Sequence, residues 1–151
     1  MTDLRRFALA LPLLALAPAP GAAPPGFEDP QFNKAAVLVL LYDRLDAECA
    51  RQRRLDAGER ARLDAWQARN RLAAVRRRVA ELGADPRTRA THQALRRTVE
   101  NQDGGLGADR CAAMLALVKL PDAQLADTLP GMLARLEAPD RAPASTGASA
   151  G

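Results

Sequence analysis

The chain is 151 residues long, the length of a single domain, and carries a net charge of +4 at pH 7. Ala, Leu and Arg dominate the composition, whereas Phe, Trp and Tyr make up only 3% of it. Because aromatic and β-branched residues favour strands and Ala, Leu and Arg favour helices, this balance argues against a strand-rich domain and predicts an all-α fold. Histidine occurs once and serine only at Ser145 and Ser149, near the C-terminus, which excludes a Ser-His-Asp triad.

The first 23 residues have the pattern of a Sec-type signal peptide. Arg5 and Arg6 precede an apolar run over residues 7–17, and small residues follow over 17–23, where a peptidase would cleave. The apolar run is well short of the about 20 residues that a transmembrane helix requires. We therefore predict a signal peptide over residues 1–23, export to the periplasm or the medium, and no transmembrane anchor.

Composition divides the rest of the chain into three parts. Residues 24–30 are rich in Pro and Gly and are interpreted as a linker. Residues 138–151 consist largely of Pro, Ala, Ser, Thr and Gly, which predicts a disordered tail. A helical bundle is therefore expected over residues 31–137.

The first predicted helix covers residues 31–54. Apolar residues recur along one face at intervals of three and four, at Leu38, Leu41, Leu45 and Cys49. Residues 35–42 are apolar on every side, which is typical of a helix that is central in a bundle or lies against a second chain. We expect the central position.

A second helix is predicted from a capping box at Asp56 and Glu59 to a stop at Gly83. Its apolar residues alternate spacings of four and three, as in a heptad seam: Ala61, Ala65, Ala68, Leu72, Val75, Val79 and Leu82. Leu63 and Trp66 fall on a different face, where they would either pack in the core or form a contact surface. Core packing is the more frequent use of a lone Trp.

A third helix is predicted to begin at Asp85 as N-cap and Pro86 as first helical residue. Its apolar face is thin, consisting of Leu95 and Val99, so we expect it to be the least stable helix. A glycine-rich loop over residues 102–108 should follow.

The last helical segment keeps one apolar seam through two prolines. The seam consists of Cys111, Leu115, Val118, Leu125, Leu129, Met132 and Leu136. Because proline removes a helical hydrogen bond, we expect a break near Pro121 and a second near Pro130. The whole pattern predicts an up-down bundle of four to five helices.

Cys49 and Cys111 are expected to form one disulfide. An even number of cysteines in an oxidising compartment favours a bridge over two buried thiols, and the loop would contain about 60 residues. If consecutive helices run antiparallel, the fourth helix begins beside the end of the first, which brings the two sulfurs together. Without CxxC spacing or a second histidine, we predict no metal site.

Positive charge is concentrated on the second and third predicted helices. Residues 51–97 contain fourteen arginines and five acidic residues, whereas the chain from Thr98 onward is mildly acidic. The candidate contact residues for an anion or a partner are Arg62, Arg69, Arg76, Arg77 and Arg78. The alternative is a merely solvated face, which an arginine-rich composition produces without any function.

The sequence predicts no catalytic, cofactor-binding or metal-binding residue. His92 has no evident charge partner and is interpreted as a partly buried or surface histidine. The favoured hypothesis is an exported binding protein of the periplasm or cell envelope, such as an inhibitor, immunity-type factor, adaptor or chaperone. Its partner would be another envelope protein. The alternatives are an accessory subunit of an envelope enzyme and a peripheral protein that contacts anionic lipid through its arginines. Export and the scarcity of aromatic residues argue against nucleic acid.

Overall fold

The computed structural model describes residues 23–138, and these residues form helices and no strand. The seven α-helices are α1 (Pro30–Gln52), α2 (Ala57–Arg69), α3 (Leu72–Ala84), α4 (Arg89–Glu100), α5 (Arg110–Leu117), α6 (Leu125–Thr128) and α7 (Pro130–Glu137). Two short 3₁₀ helices lie at Gln102–Gly105 and Pro121–Ala123. The all-α class is confirmed, with more helices than the four to five predicted. The predicted signal peptide and tail lie outside the described residues, apart from residues 23 and 138.

Helix α1 is the central element. The Asp29 carboxylate caps it by accepting from the backbone N–H of Gln31 at 2.9 Å, and Pro30 occupies the first turn, where its missing N–H costs nothing. The helix packs against α3, α4 and α5. It buries residues on several sides, namely Phe32, Ala35, Ala36, Leu38, Val39, Tyr42, Leu45 and Cys49. The expected central position of this helix is confirmed.

The predicted second helix is in fact two helices, α2 and α3, because the helical conformation is interrupted at Asn70 and Arg71. Arg71 adopts a left-handed backbone with φ 54°, which ends the hydrogen-bond ladder of α2. The buried Asn70 side chain donates to the Trp66 carbonyl at 2.9 Å and accepts from the Ala126 N–H at 3.0 Å. This bond to α6 gives the break a tertiary cause. The predicted capping box of Asp56 and Glu59 is confirmed, with both reciprocal hydrogen bonds present.

The break also corrects the predicted seam. The first half of the predicted seam is exposed, namely Ala61, Ala65 and Ala68. Helix α2 buries Leu63 and Trp66 instead. A leucine and a tryptophan remove far more apolar surface from water than three alanines do, so they decide which face of α2 turns inward. The second half of the seam is confirmed, since Leu72, Val75, Val79 and Leu82 are buried.

The turn between α3 and α4 differs from the prediction in two ways. Gly83 does not end a helix, because α3 continues to Ala84; a Cβ at Gly83 would lie 2.7 Å from the His92 ring, so the glycine permits close packing of α4. Asp85 does not cap α4 either. Its carboxylate accepts from the Arg87 N–H at 2.9 Å in a turn, and α4 begins at Arg89.

The last segment breaks at both prolines, as expected. Pro121 opens a 3₁₀ helix and Pro130 is the first residue of α7. Buried residues on this segment include Cys111, Met114, Leu125, Leu129, Met132, Leu133 and Leu136. These breaks, together with the one at Arg71, account for the additional helices.

The predicted disulfide is confirmed. Cys49 and Cys111 are bonded, with their Cα atoms 4.6 Å apart, and both are buried. Their neighbours on α1 and α5 form a partly buried ion-pair cluster, in which Glu48 bonds Arg44 at 2.9 Å and Arg110 at 3.0 Å.

The direction of α5 relative to α1 follows from contacts at both ends of the pair. On α1, Cys49 meets Cys111 while Lys34 bonds Asp122 at 3.0 Å, so α5 runs antiparallel to α1. The segment before α1 lies beside the middle of α3, because Arg78 donates to the Pro25 carbonyl at 2.9 Å.

Candidate functional site

Two adjoining cavities lie beside α3, which packs against α7. The first has a volume of about 280 Å³ and is lined by Pro24, Arg77, Arg78, Glu81, Arg135, Leu136, Glu137 and Ala138. The second has a volume of about 380 Å³ and is lined by Gln67, Ala68, Arg71, Ala73, Ala74, Arg76, Arg77 and Glu137. The cavities share Arg77 and Glu137. We call the two together the arginine groove.

On one side of the groove, Arg76 is fixed by α1. Its Nε and Nη2 atoms donate to the two Asp43 carboxylate oxygens at 2.9 and 2.6 Å, a bidentate arrangement that raises the pKa of Arg76. Arg76 Nη2 also reaches the Gln67 side-chain oxygen at 3.5 Å. The Gln67 amide in turn donates to the Tyr42 hydroxyl at 3.1 Å. Arg76 therefore belongs to a network that anchors α3 to α1 and α2.

Three more arginines of the groove are held by oxygen acceptors: Arg78 and Arg135 in the first cavity and Arg71 in the second. Arg78 donates to the Pro25 carbonyl at 2.9 Å and to Glu81 at 3.1 Å. Arg71 pairs with Glu137, and this ion pair connects the start of α3 to the end of α7. Arg135 pairs with Asp29, and this hydrogen bond is the main reason that the pKa of Asp29 lies below its usual value.

Arg77, between the two cavities, is held far more loosely. Its side chain is 64% exposed, and its nearest carboxylate oxygen, on Glu81, lies 3.9 Å from Nε. That separation is too long for a hydrogen bond. Among the arginines of the groove, Arg77 therefore has the guanidinium with most capacity to bind a ligand.

The predicted arginine set divides between two places. Arg76, Arg77 and Arg78 line the groove. Arg62 and Arg69 lie on α2, where Arg62 is exposed and Arg69 bonds the Asp127 carboxylate at 2.8 Å. The seven-residue spacing does not produce one continuous stripe, because the helix breaks between positions 69 and 76. That these five arginines contact a partner stays a prediction.

Two arginines of the groove were missed by sequence reasoning. Arg71 occupies the break itself, and Arg135 comes from α7, far along the chain. Neither carries a local pattern that assigns it to this surface. Their acidic partners are also far away in sequence: Glu137 lies 66 positions from Arg71, and Asp29 lies 106 positions from Arg135.

The charge of the groove is nearly balanced. Five arginines line it together with Glu81 and Glu137. Asp29 and Asp43 pair with its arginines from the rim, leaving a local excess of about one positive charge. The groove therefore differs from an open basic patch.

His92 is placed by packing. Its ring stacks on Phe27 with centroids 6.1 Å apart, and burial, followed by the charge of Arg96, lowers its pKa. Within residues 23–138, no three His, Cys, Asp or Glu side chains are grouped so that they could hold a metal ion. In the same residues, no helix has the length and apolar character needed to cross a bilayer.

In comparisons with known proteins, no family model, curated protein or solved structure matches this chain.

Proposed function

We propose that this chain is a small exported binding protein of the cell envelope. In this proposal it is an up-down helical bundle, delivered by a Sec-type signal peptide over residues 1–23, that contacts a partner protein through the arginine groove. The disulfide supports the compartment, because such bonds persist in oxidising environments and are rare in the cytosol.

The observation that carries the proposal is the groove itself. It is built on α3, whose opposite face is buried through Leu72, Val75, Val79 and Leu82. Four of its arginines are held in place by acidic groups or carbonyls, so binding would cost little further side-chain ordering. Arginine is also enriched at protein interfaces, where it is one of the residues that contribute most to affinity.

Site-specific photo-cross-linking tests the partner contact. A photoreactive residue would replace Ala73, an exposed alanine of the groove, and in a matched control would replace Ala61, an exposed alanine on α2. We expect a discrete adduct with one envelope protein at position 73 and none at position 61. No adduct at 73, or the same adducts at both positions, would count against binding through the groove.

Fractionation tests the export part of the proposal separately. The full-length chain should be recovered from the periplasm or the medium, shortened at its N-terminus and without free thiols. Recovery of an uncleaved, reduced chain from the cytosol would contradict export.

A further inference from the structure

Arg77 is singled out by its surroundings within the groove. The other four groove arginines, Arg71, Arg76, Arg78 and Arg135, each bond a carboxylate or carbonyl at hydrogen-bond distance. Arg77 alone lines both cavities while its nearest acidic oxygen is 3.9 Å away. A guanidinium in this situation has its planar set of N–H donors available for a bidentate acceptor.

The charge balance selects the kind of acceptor. Glu81 and Glu137 line the same cavities as Arg77. Their negative charges, with those of Asp29 and Asp43, offset all but about one of the positive charges of the groove arginines. With about one positive charge in excess, the groove can neutralise one carboxylate but not a dianion or an extended anionic surface.

The lining of the second cavity favours a carboxylate that is attached to an aliphatic chain. Ala68, Ala73 and Ala74 line the cavity next to Arg77, and their methyl groups form an apolar wall. The two methylenes of a glutamate side chain would lie along such a wall while its carboxylate met the guanidinium. A free inorganic anion has no group that uses this wall.

We infer that the arginine groove binds a glutamate side chain of its partner protein, with Arg77 as the residue that contacts the carboxylate. This inference rests on the proposed function, because it names the chemistry of the partner at the same site. The partner segment places one glutamate between α3 and α7, and the alanines contact its aliphatic part.

An NMR titration of the disulfide-bonded chain tests the inference. The probe is the capped pentapeptide acetyl-Ala-Ala-Glu-Ala-Ala-amide, compared with the peptide that has Gln in place of Glu and with inorganic phosphate. We expect the Glu peptide to shift the Arg77 Nε–H signal and the amides of Ala73 and Ala74. The Gln peptide should leave these signals in place, and phosphate should bind more weakly than the Glu peptide.

Two variants with the same loss of charge separate contact from net charge. Arg77→Ala should weaken Glu-peptide binding by about tenfold, the effect of losing a charge-assisted hydrogen-bond pair. Arg97→Ala, which removes an exposed arginine of α4 that lines neither cavity, should leave the affinity unchanged. Arg77→Lys should restore only part of it, because an ammonium group does not form the bidentate pair.

Three outcomes would overturn the inference: equal effects of Arg77→Ala and Arg97→Ala, tighter binding of phosphate than of the Glu peptide, or indistinguishable binding of the Glu and Gln peptides. Each is distinguishable from failure of the proposed function. If a partner still cross-links at position 73, the groove is a binding surface and only the carboxylate assignment fails.

Discussion

Replacing both cysteines with alanine would measure how much of the stability depends on the disulfide. The bond joins residues separated by 62 positions. In the loop-entropy description, closing a loop of that length restricts the unfolded chain enough to contribute about 4 kcal/mol at 25 °C. Since a typical domain is stable by about 5–15 kcal/mol, Cys49→Ala/Cys111→Ala should remove a large fraction of the total.

The variant should nevertheless fold. Helices α1 and α5 still pack against each other, each with buried apolar side chains such as Leu45 and Met114, and the Glu48–Arg110 ion pair still connects the same ends. For a domain of this size, a loss of that magnitude corresponds to a fall in Tm of about 15 °C. Helical content in buffer should therefore stay close to that of the oxidised chain.

Guanidinium chloride unfolding, followed by far-UV circular dichroism, would compare the oxidised chain, the chain reduced with dithiothreitol, and the double-alanine variant. Reduction and substitution should lower the free energy of unfolding by similar amounts. Dithiothreitol should have no effect on the variant, which controls for actions of the reagent elsewhere. A loss below about 1 kcal/mol in both arms would refute the loop-entropy argument for this fold.

Three further variants test particular contacts by the same unfolding assay. Asn70→Ala leaves the Ala126 N–H without its acceptor and should cost about 1–3 kcal/mol, whereas Asn101→Ala, at an exposed asparagine after α4, should be close to neutral. Gly83→Ala places a Cβ 2.7 Å from the His92 ring and should cost about 1–3 kcal/mol, whereas the same substitution in a His92→Ala background should be close to neutral; an equal cost in both backgrounds would refute the steric explanation. Because the pKa of His92 is lowered by burial, its neutral form is favoured on folding, so its contribution is fully present above about pH 6.5 and is lost as the pH falls below that value. His92→Gln should flatten the fall in stability below about pH 6.5, and an unchanged pH profile in that variant would contradict the assignment.

Features that depend on the chain alone were predictable from the sequence. The capping box, the central apolar helix and the breaks at both prolines follow from local residue chemistry. The Cys49–Cys111 bond was predicted on the assumption that helix directions alternate, and the bond is present in the structure.

Features that depend on tertiary competition were not predictable. Neither Asn70 nor Arg71 is a strong helix breaker, and the break exists because Asn70 bonds the backbone of α6. The alanine seam of α2 had the correct spacing but too little apolar area to compete with Leu63 and Trp66. Periodicity identifies candidate faces, and the buried area chooses between them.

Arg76, Arg77 and Arg78 are consecutive on α3 but have different surroundings, because the helix points each side chain in a different direction. Successive residues are rotated by about 100°, so with Val75 and Val79 inward, Arg77 lies roughly opposite the buried face. Arg76 and Arg78 lie roughly 80° from that face, one on each side. From there Arg76 reaches Asp43 and Arg78 reaches the Pro25 carbonyl, while Arg77 reaches neither. The packing that fixes α3 in the fold therefore also determines which arginine is available to a ligand, and substitutions that rotate α3 should change binding at the groove as well as stability.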